Sequence, residues 1–168
     1  MIILFKQIQK KDLNSVLNLF KETAEKISKM NVDHWQYWKN PPKEKIEWVE
    51  EGISNCEFYF INTSQNENIG MVRILDEDLL YWGKQSQKAK YIHSLVIKET
   101  YNGKGLGAYI IKEIEAKARA SKFEFLRLDA DAKNVGLCNY YERIGFKKVG
   151  IKETSLSNNN LYQKSLQV

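Results

Sequence analysis

Cysteine is nearly missing from this sequence. Its 168 residues hold two, Cys56 and Cys138, far apart and in no CxxC or Cys/His spacing. That excludes a disulfide framework and a cysteine-based zinc site. It points to a reducing, cytoplasmic setting in which both thiols are buried packing residues. Long apolar runs are missing too. No stretch approaches the ~20 apolar residues that cross a membrane, and the opening segment, Met1 to Leu13, is too short in its apolar run for a signal peptide. No membrane partner is expected. Clustered charge of one sign is also absent. The formal charge of +5 favours an anionic partner, but the lysines are scattered, which argues against a nucleic-acid groove. There is no internal repeat and no linker composition. What remains is ordinary globular composition, at a length that suits one soluble domain over 1–168.

The pattern of the chain is mixed. Ile2 to Ile8 is strand-like. Asp12 is placed to cap a helix, and Leu13, Val16, Leu17, Phe20, Ala24 and Ile27 follow at helical spacing. Residues 30–42 break the pattern and end in Pro41-Pro42. A short helix over Lys43 to Ile53 has Ile46, Val49 and Ile53 on one face. EFYFI, the turn-like NTSQNEN and IGMVRIL read as a hairpin. Residues 76–89 are polar except for Leu79 to Trp82, and Tyr91 to Ile97 is a strand. A glycine-rich loop then leads into a helix carrying Leu106, Ile110, Ile111, Ile114 and Ala118, with Glu113/Lys117 and Glu115/Arg119 as pairs on its outer face. FEFLRLDA reads as a strand, NVGLCNYYERI as a helix, GFKKVG as a strand start and NLYQKSLQV as a closing strand. This order implies an α/β (α+β) domain with a mixed sheet packed by helices.

The segment Asn102-Gly103-Lys104-Gly105-Leu106-Gly107 opens the long helix. Unpaired N–H groups and a partial positive charge at a helix start, with no Cβ in the way, suit a phosphate. Lys104 can add charge. The spacing is neither a P-loop nor GxGxxG, and a tight turn without a ligand accounts for the glycines equally well.

Three segments taken together say more. Tyr91-Ile92-His93-Ser94-Leu95-Val96-Ile97, then Gly103-Lys104-Gly105-Leu106-Gly107-Ala108, then Asn134 followed by Tyr140-Tyr141-Glu142-Arg143-Ile144-Gly145-Phe146 resemble the GNAT superfamily of N-acetyltransferases. The match is good over about 57–150. Asn102 stands where the family usually has Arg or Gln, which weakens a side-chain contact there but not a backbone cradle. The resemblance implies the GNAT-type acyl-CoA N-acyltransferase fold, a central twisted mixed sheet with helices on both faces. It implies acetyl-CoA as acyl donor and no metal. The donor's pantetheine arm would pair with backbone at Leu95, Val96 and Ile97, where the strand splays from its neighbour. The pyrophosphate would rest on the amides of Gly103 to Ala108, with Asn102 and Asn134 on the cofactor side.

The implied reaction is direct attack of an amine on the thioester in a ternary complex. The N–H of Leu95 would stabilise the oxyanion. Tyr141 would meet the leaving thiolate. A phenol (pKa near 10) is a weaker acid than a thiol (about 8.5), so full proton transfer is uphill by roughly 2 kcal/mol and Tyr141 acts mainly as a hydrogen-bond donor. His93 is the best single candidate for the base. By alternation it shares a face with Tyr91, Leu95 and Ile97. A structural or merely substrate-contacting His93, with water or a remote carboxylate as base, is the alternative. On the acceptor side the family's pocket would draw on His34, Trp35, Tyr37, Trp38 and Trp82, whose faces suit cations and flat groups, or which simply cap the core. The acceptor would be a small-molecule or peptide amine, and the protein a monomer or homodimer. A non-catalytic acyl-CoA-binding module is the competing class.

Overall fold

The first strand, β1 (Ile3–Gln7), feeds a short turn in which the Asp12 carboxylate accepts from the Gln9 N–H at 2.9 Å. Asp12 therefore secures the turn and makes no side-chain cap on the helix it precedes, α1 (Leu13–Ser28). Apolar periodicity places α1 correctly: Val16, Phe20 and Ala24 are fully buried, and Leu19 joins them. A one-turn 3₁₀ segment, Gln36–Lys39, and α2 (Lys43–Ser54) follow. Next come β2 (Phe58–Thr63), β3 (Asn68–Leu75), β4 (Ala89–Ile97), α3 (Leu106–Ala120), β5 (Phe125–Asp131), α4 (Val135–Arg143), β6 (Lys147–Glu153) and β7 (Asn158–Ser165). The strands join in one mixed seven-stranded sheet, ordered β1-β2-β3-β4-β5-β7-β6, with helices on both faces. This computed structural model describes residues 1–167, so the last residue of the closing NLYQKSLQV run lies outside the described residues. Among them, no helix is long and apolar enough to cross a membrane.

The chain forms two compact units. The first comprises Met1–Ile74 and Ser94–Leu106. It holds the antiparallel ladders of β1 with β2 and of β2 with β3. Its core gathers Ile8, Val16, Phe20, Trp38, Val49, Ile53, Phe58, Met71 and Val96. The Phe20 and Trp38 rings stack at 4.0 Å, and burying side chains of this size is worth roughly 2–3 kcal/mol each. Arg73 is buried behind the Trp48 ring, 4.1 Å from its centroid, and bonds Glu57 through Nε and Nη2 at 2.8 and 2.6 Å. Cys56 is exposed in the left-handed region (φ +60°), contrary to the packing role expected for it. It follows the end of α2, where the chain must reverse into β2.

The second unit, Leu75–His93 and Gly107 onward, holds the parallel start of β4 beside β5, then β7 and β6 antiparallel. The fourfold stripe of α3 is buried throughout. Glu115 and Arg119 are not the outer-face pair that spacing suggests. Glu115 is buried against the Lys164 ammonium at 2.5 Å, and Arg119 Nε donates to the Leu166 carbonyl at 3.0 Å, so tertiary partners outcompete the one-turn pair. Arg127 is 2 % exposed. It donates to Gln163 (2.8 Å), the Tyr91 hydroxyl (2.9 Å) and Gln87 (2.5 Å), and its guanidinium lies 4.9 Å from the Trp82 ring centroid. These contacts clamp the connection between β3 and β4 onto β5.

Candidate active site

The glycine loop follows a 3₁₀ turn, Glu99–Tyr101, and runs straight into α3. Asn102, Gly103, Lys104 and Gly105 are all exposed. Gly103 and Gly105 sit at φ +72° and +69°, with open space where a Cβ would be. Only glycine adopts this conformation without strain. Lys104 lies 5.2 Å from the Tyr101 ring centroid. The Tyr101 hydroxyl is bonded to Glu67, which raises its pKa.

Strand β4 is irregular where the resemblance places the donor's arm. Its ladder with β5 runs Ala89↔Phe125, Lys90↔Leu126 and Tyr91↔Arg127 and then stops. Ser94 has φ +52°, a left-handed residue inside a strand. It resets the alternation, so the face shared by Tyr91 and His93 cannot be carried on to Leu95 and Ile97; Val96, not Leu95, is the buried residue. Such kinks re-aim backbone and cluster at functional sites. Val96 to Lys98 also line a cavity of about 160 Å³ with Leu19, Thr23 and Lys26 of α1.

His93 stands at the point where the β4–β5 ladder ends, between two carboxylates. Asp78, on the connection after β3, meets Nε2 through Oδ2 at 2.6 Å, and its Oδ1 accepts from the Tyr81 N–H at 3.1 Å. Asp129, on β5, lies with Oδ1 3.6 Å from Nδ1, and its Oδ2 accepts from Asn159 at 2.7 Å. The side chains of Asp78, His93 and Asp129 are 5, 13 and 10 % exposed. Among the described residues these three form the one cluster whose composition invites a metal. Asp78 is already at hydrogen-bond distance from Nε2 and Asp129 faces Nδ1, and one ligand atom from each of the three residues lies within 4.8 Å of the others.

Burial raises the Asp129 pKa. The His93 charge and the Asn159 bond pull it back, and Asp78 pushes it up again. An acid whose folded-state pKa exceeds its unfolded value near 3.9 loses stability as pH climbs from about 4 through the folded value. Asp129→Asn does not titrate and its carbonyl can still accept from Asn159. Its melting temperature relative to wild type is therefore expected to rise between pH 4 and pH 7. Thermal unfolding at both pH values checks this, and a constant difference contradicts it.

Tyr141 is half-buried on α4, edge-on to Phe146 and tilted against Tyr162. Its pKa is pushed far up, first by desolvation and then by the charge of Asp129. Asn134 caps α4, its Oδ1 accepting from the Leu137 N–H at 3.1 Å. The acceptor-side aromatics part company. Trp38 is 3 % exposed and serves the core of the first unit. Trp35, at φ +65°, and His34 are half-buried and stack on each other, with Tyr37 against Trp38. Trp82 lies on Arg127 and edge-on to Tyr91. Asp78, Asp129 and Ser94 escape a reading of the sequence. A lone acid in a polar stretch, a second late in a strand and a serine in a β-rich run carry no local signal.

Comparison with known proteins agrees with this fold. The family model of the acetyltransferase (GNAT) family matches residues 20–146. The uncharacterized N-acetyltransferase YdgE of Bacillus subtilis is 24 % identical over 137 residues, which is 77 % of this chain and 84 % of that protein. A GNAT family acetyltransferase from Listeria monocytogenes superposes with a TM-score of 0.78 at 23 % identity, covering 97 % of this chain and 94 % of the other. One from Elizabethkingia anophelis, solved with acetyl-CoA bound, superposes with a TM-score of 0.60 at 17 % identity over 75 % of this chain and 84 % of that one. With a family match that spans well over half its length, the chain belongs to the acetyltransferase (GNAT) family.

Proposed function

We propose that the protein is an N-acetyltransferase that moves an acetyl group from acetyl-CoA to a primary amine of a small molecule or peptide. The observation that carries this reading is the exposed loop at the start of α3, where Gly103 and Gly105 hold left-handed backbone with nothing over it. Backbone amides from Gly103 to Ala108 would hold the diphosphate. The interrupted strand from Leu95 to Ile97 offers peptide groups to the amide-bearing arm. The Leu95 N–H would meet the oxyanion, His93 would receive the proton that the ammonium loses, and Tyr141 would donate to the departing sulfur. In balance, a C–N bond forms, the C–S bond breaks, CoA leaves as the thiol and one proton is released.

Calorimetry with acetyl-CoA tests the donor, and release of free thiol with a panel of primary amines tests the transfer. Gly105→Val is expected to weaken acetyl-CoA binding about tenfold. A Cβ in the left-handed region costs about 1–2 kcal/mol and depopulates the binding-competent loop. Wild-type protein that gives no heat with acetyl-CoA sinks the reading. Unchanged affinity in Gly105→Val removes the loop from it.

A further inference from the structure

Two carboxylates bracket one imidazole, and each does something different to it. Asp78 is fixed. Its Oδ1 is engaged by the Tyr81 N–H, and its connection is held by Trp82 and Gln87 on the buried Arg127 guanidinium. In the tautomer in which Asp78 Oδ2 accepts across the 2.6 Å contact, Nε2 carries the ring proton. Nδ1 is then the nitrogen that changes state. Opposite it is Asp129 Oδ1, buried and without a hydrogen-bond partner among the described residues. The Asp129 side chain is nine-tenths buried. Its other oxygen is held by Asn159, whose own Oδ1 accepts from Ser157 at 2.6 Å, so Oδ1 is aimed at the ring and not free to swing. With a neutral ring, two acceptors face each other across 3.6 Å. One added proton turns that opposition into a charge-assisted bond.

We propose that Asp78, His93 and Asp129 form a proton relay. The proton leaving the acceptor ammonium enters on His93 and is held on the line from Nδ1 to Asp129 Oδ1, while Asp78 fixes the ring through Nε2. The proposal rests on the acetyl-transfer reading above and adds Asp78 and Asp129 as positioning residues that act through His93. The ammonium N–H bond breaks and an N–H bond forms at Nδ1. The freed lone pair makes the C–N bond as the C–S bond breaks. The second nitrogen proton leaves with the sulfur as thiol, and the relay returns its own proton to water. The groups facing Asp129 are His93 from β4, Asp78 from the connection after β3, Asn159 from β7 and Tyr141 from α4, the last through its charge sensitivity.

The test has two arms on the full chain. Imidazole NMR signals are followed across pH in wild type and Asp129→Asn. The chain has two histidines, so His34 is the internal reference. His93 is expected to bind its proton about tenfold less tightly in the variant, with His34 unmoved. An unmoved His93 overturns the relay whether or not any amine is acetylated. In the second arm, thiol release from acetyl-CoA is measured with primary amines of graded basicity. Asp129→Asn is expected to lose about 50-fold in kcat/KM for strongly basic amines and to approach wild type for amines already deprotonated at the assay pH. A loss equal for all amines marks a merely structural Asp129 and overturns the relay. Wild type that binds acetyl-CoA but releases thiol with no amine fails the acetyl-transfer reading, and the relay's catalytic use falls with it. The first arm tells that failure apart from a failure of the coupling.

Discussion

Gly70→Ala is expected to lower stability by about 3 kcal/mol, a drop of about 6–12 °C in melting temperature for a chain of this length. A Cβ built on Gly70 lies 2.0 Å from the Val96 carbonyl oxygen, 3.0 Å from its carbon and 3.2 Å from Ile97 Cα. Every one of these atoms is backbone, so no rotamer change makes room. Real Cβ contacts essentially never fall under 3.0 Å, and β3 would have to withdraw from β4. That movement strains the Lys98 N–H to Ile69 carbonyl bond, now 2.9 Å. It also moves the Val96 and Ile97 peptides proposed to pair with the donor, so acetyl-CoA affinity should fall along with stability. Gly136→Ala is the control. It sits near the start of α4 with its nearest neighbour 4.0 Å from the built Cβ, and helix propensity makes that change neutral or mildly favourable. Thermal unfolding and calorimetry of the two variants decide the matter. A Gly70→Ala protein that melts with wild type would show that the close approach of β3 to β4 is not required.

The same contact explains which parts of the molecule could be read from the sequence. Periodicity reports the average face of an element. It therefore found α1, α2 and α3 and the strands around them, since Val16, Phe20, Ile110 and Ile114 must be buried whatever lies opposite. It cannot report a single residue that breaks phase. Ser94 does so in β4, and extrapolating alternation across it puts Leu95 on the wrong face. Nor can it report side chains brought together from distant segments. Glu115 finds Lys164 instead of Arg119, and His93 finds Asp78 and Asp129, fifteen residues before it in one case and on the next strand in the other. The glycine loop was legible because its chemistry is local, carried by consecutive backbone amides. The surroundings of His93 were not, because they depend on how β4, β5, β7 and the clamped connection converge.

Tyr141→Phe is expected to lower kcat by about 300-fold while leaving the melting temperature and the KM for acetyl-CoA nearly unchanged. The ring contributes packing, edge-on to Phe146 at 5.9 Å and beside Tyr162 at 6.1 Å, and phenylalanine keeps both contacts. What disappears is the hydroxyl. Desolvation, then Asp129, Tyr140 and Cys138, all push its pKa up, so the phenol keeps its proton through any working pH and is a poor acid toward a thiolate. Its use is as a donor already in place when charge builds on sulfur, in surroundings where a hydrogen bond counts for more than in water. That predicts a leaving-group dependence: the deficit of Tyr141→Phe should shrink with an acetyl thioester whose thiol is more acidic, because a stable thiolate needs less help. It also predicts no basic limb in the wild-type rate profile that disappears in the variant. Steady-state thiol release across pH and across two leaving groups tests both. Unchanged turnover in Tyr141→Phe would remove the hydroxyl from the chemistry. A deficit blind to the leaving group would mean that it serves the ground state, holding the bound donor in place rather than stabilising the sulfur as it departs.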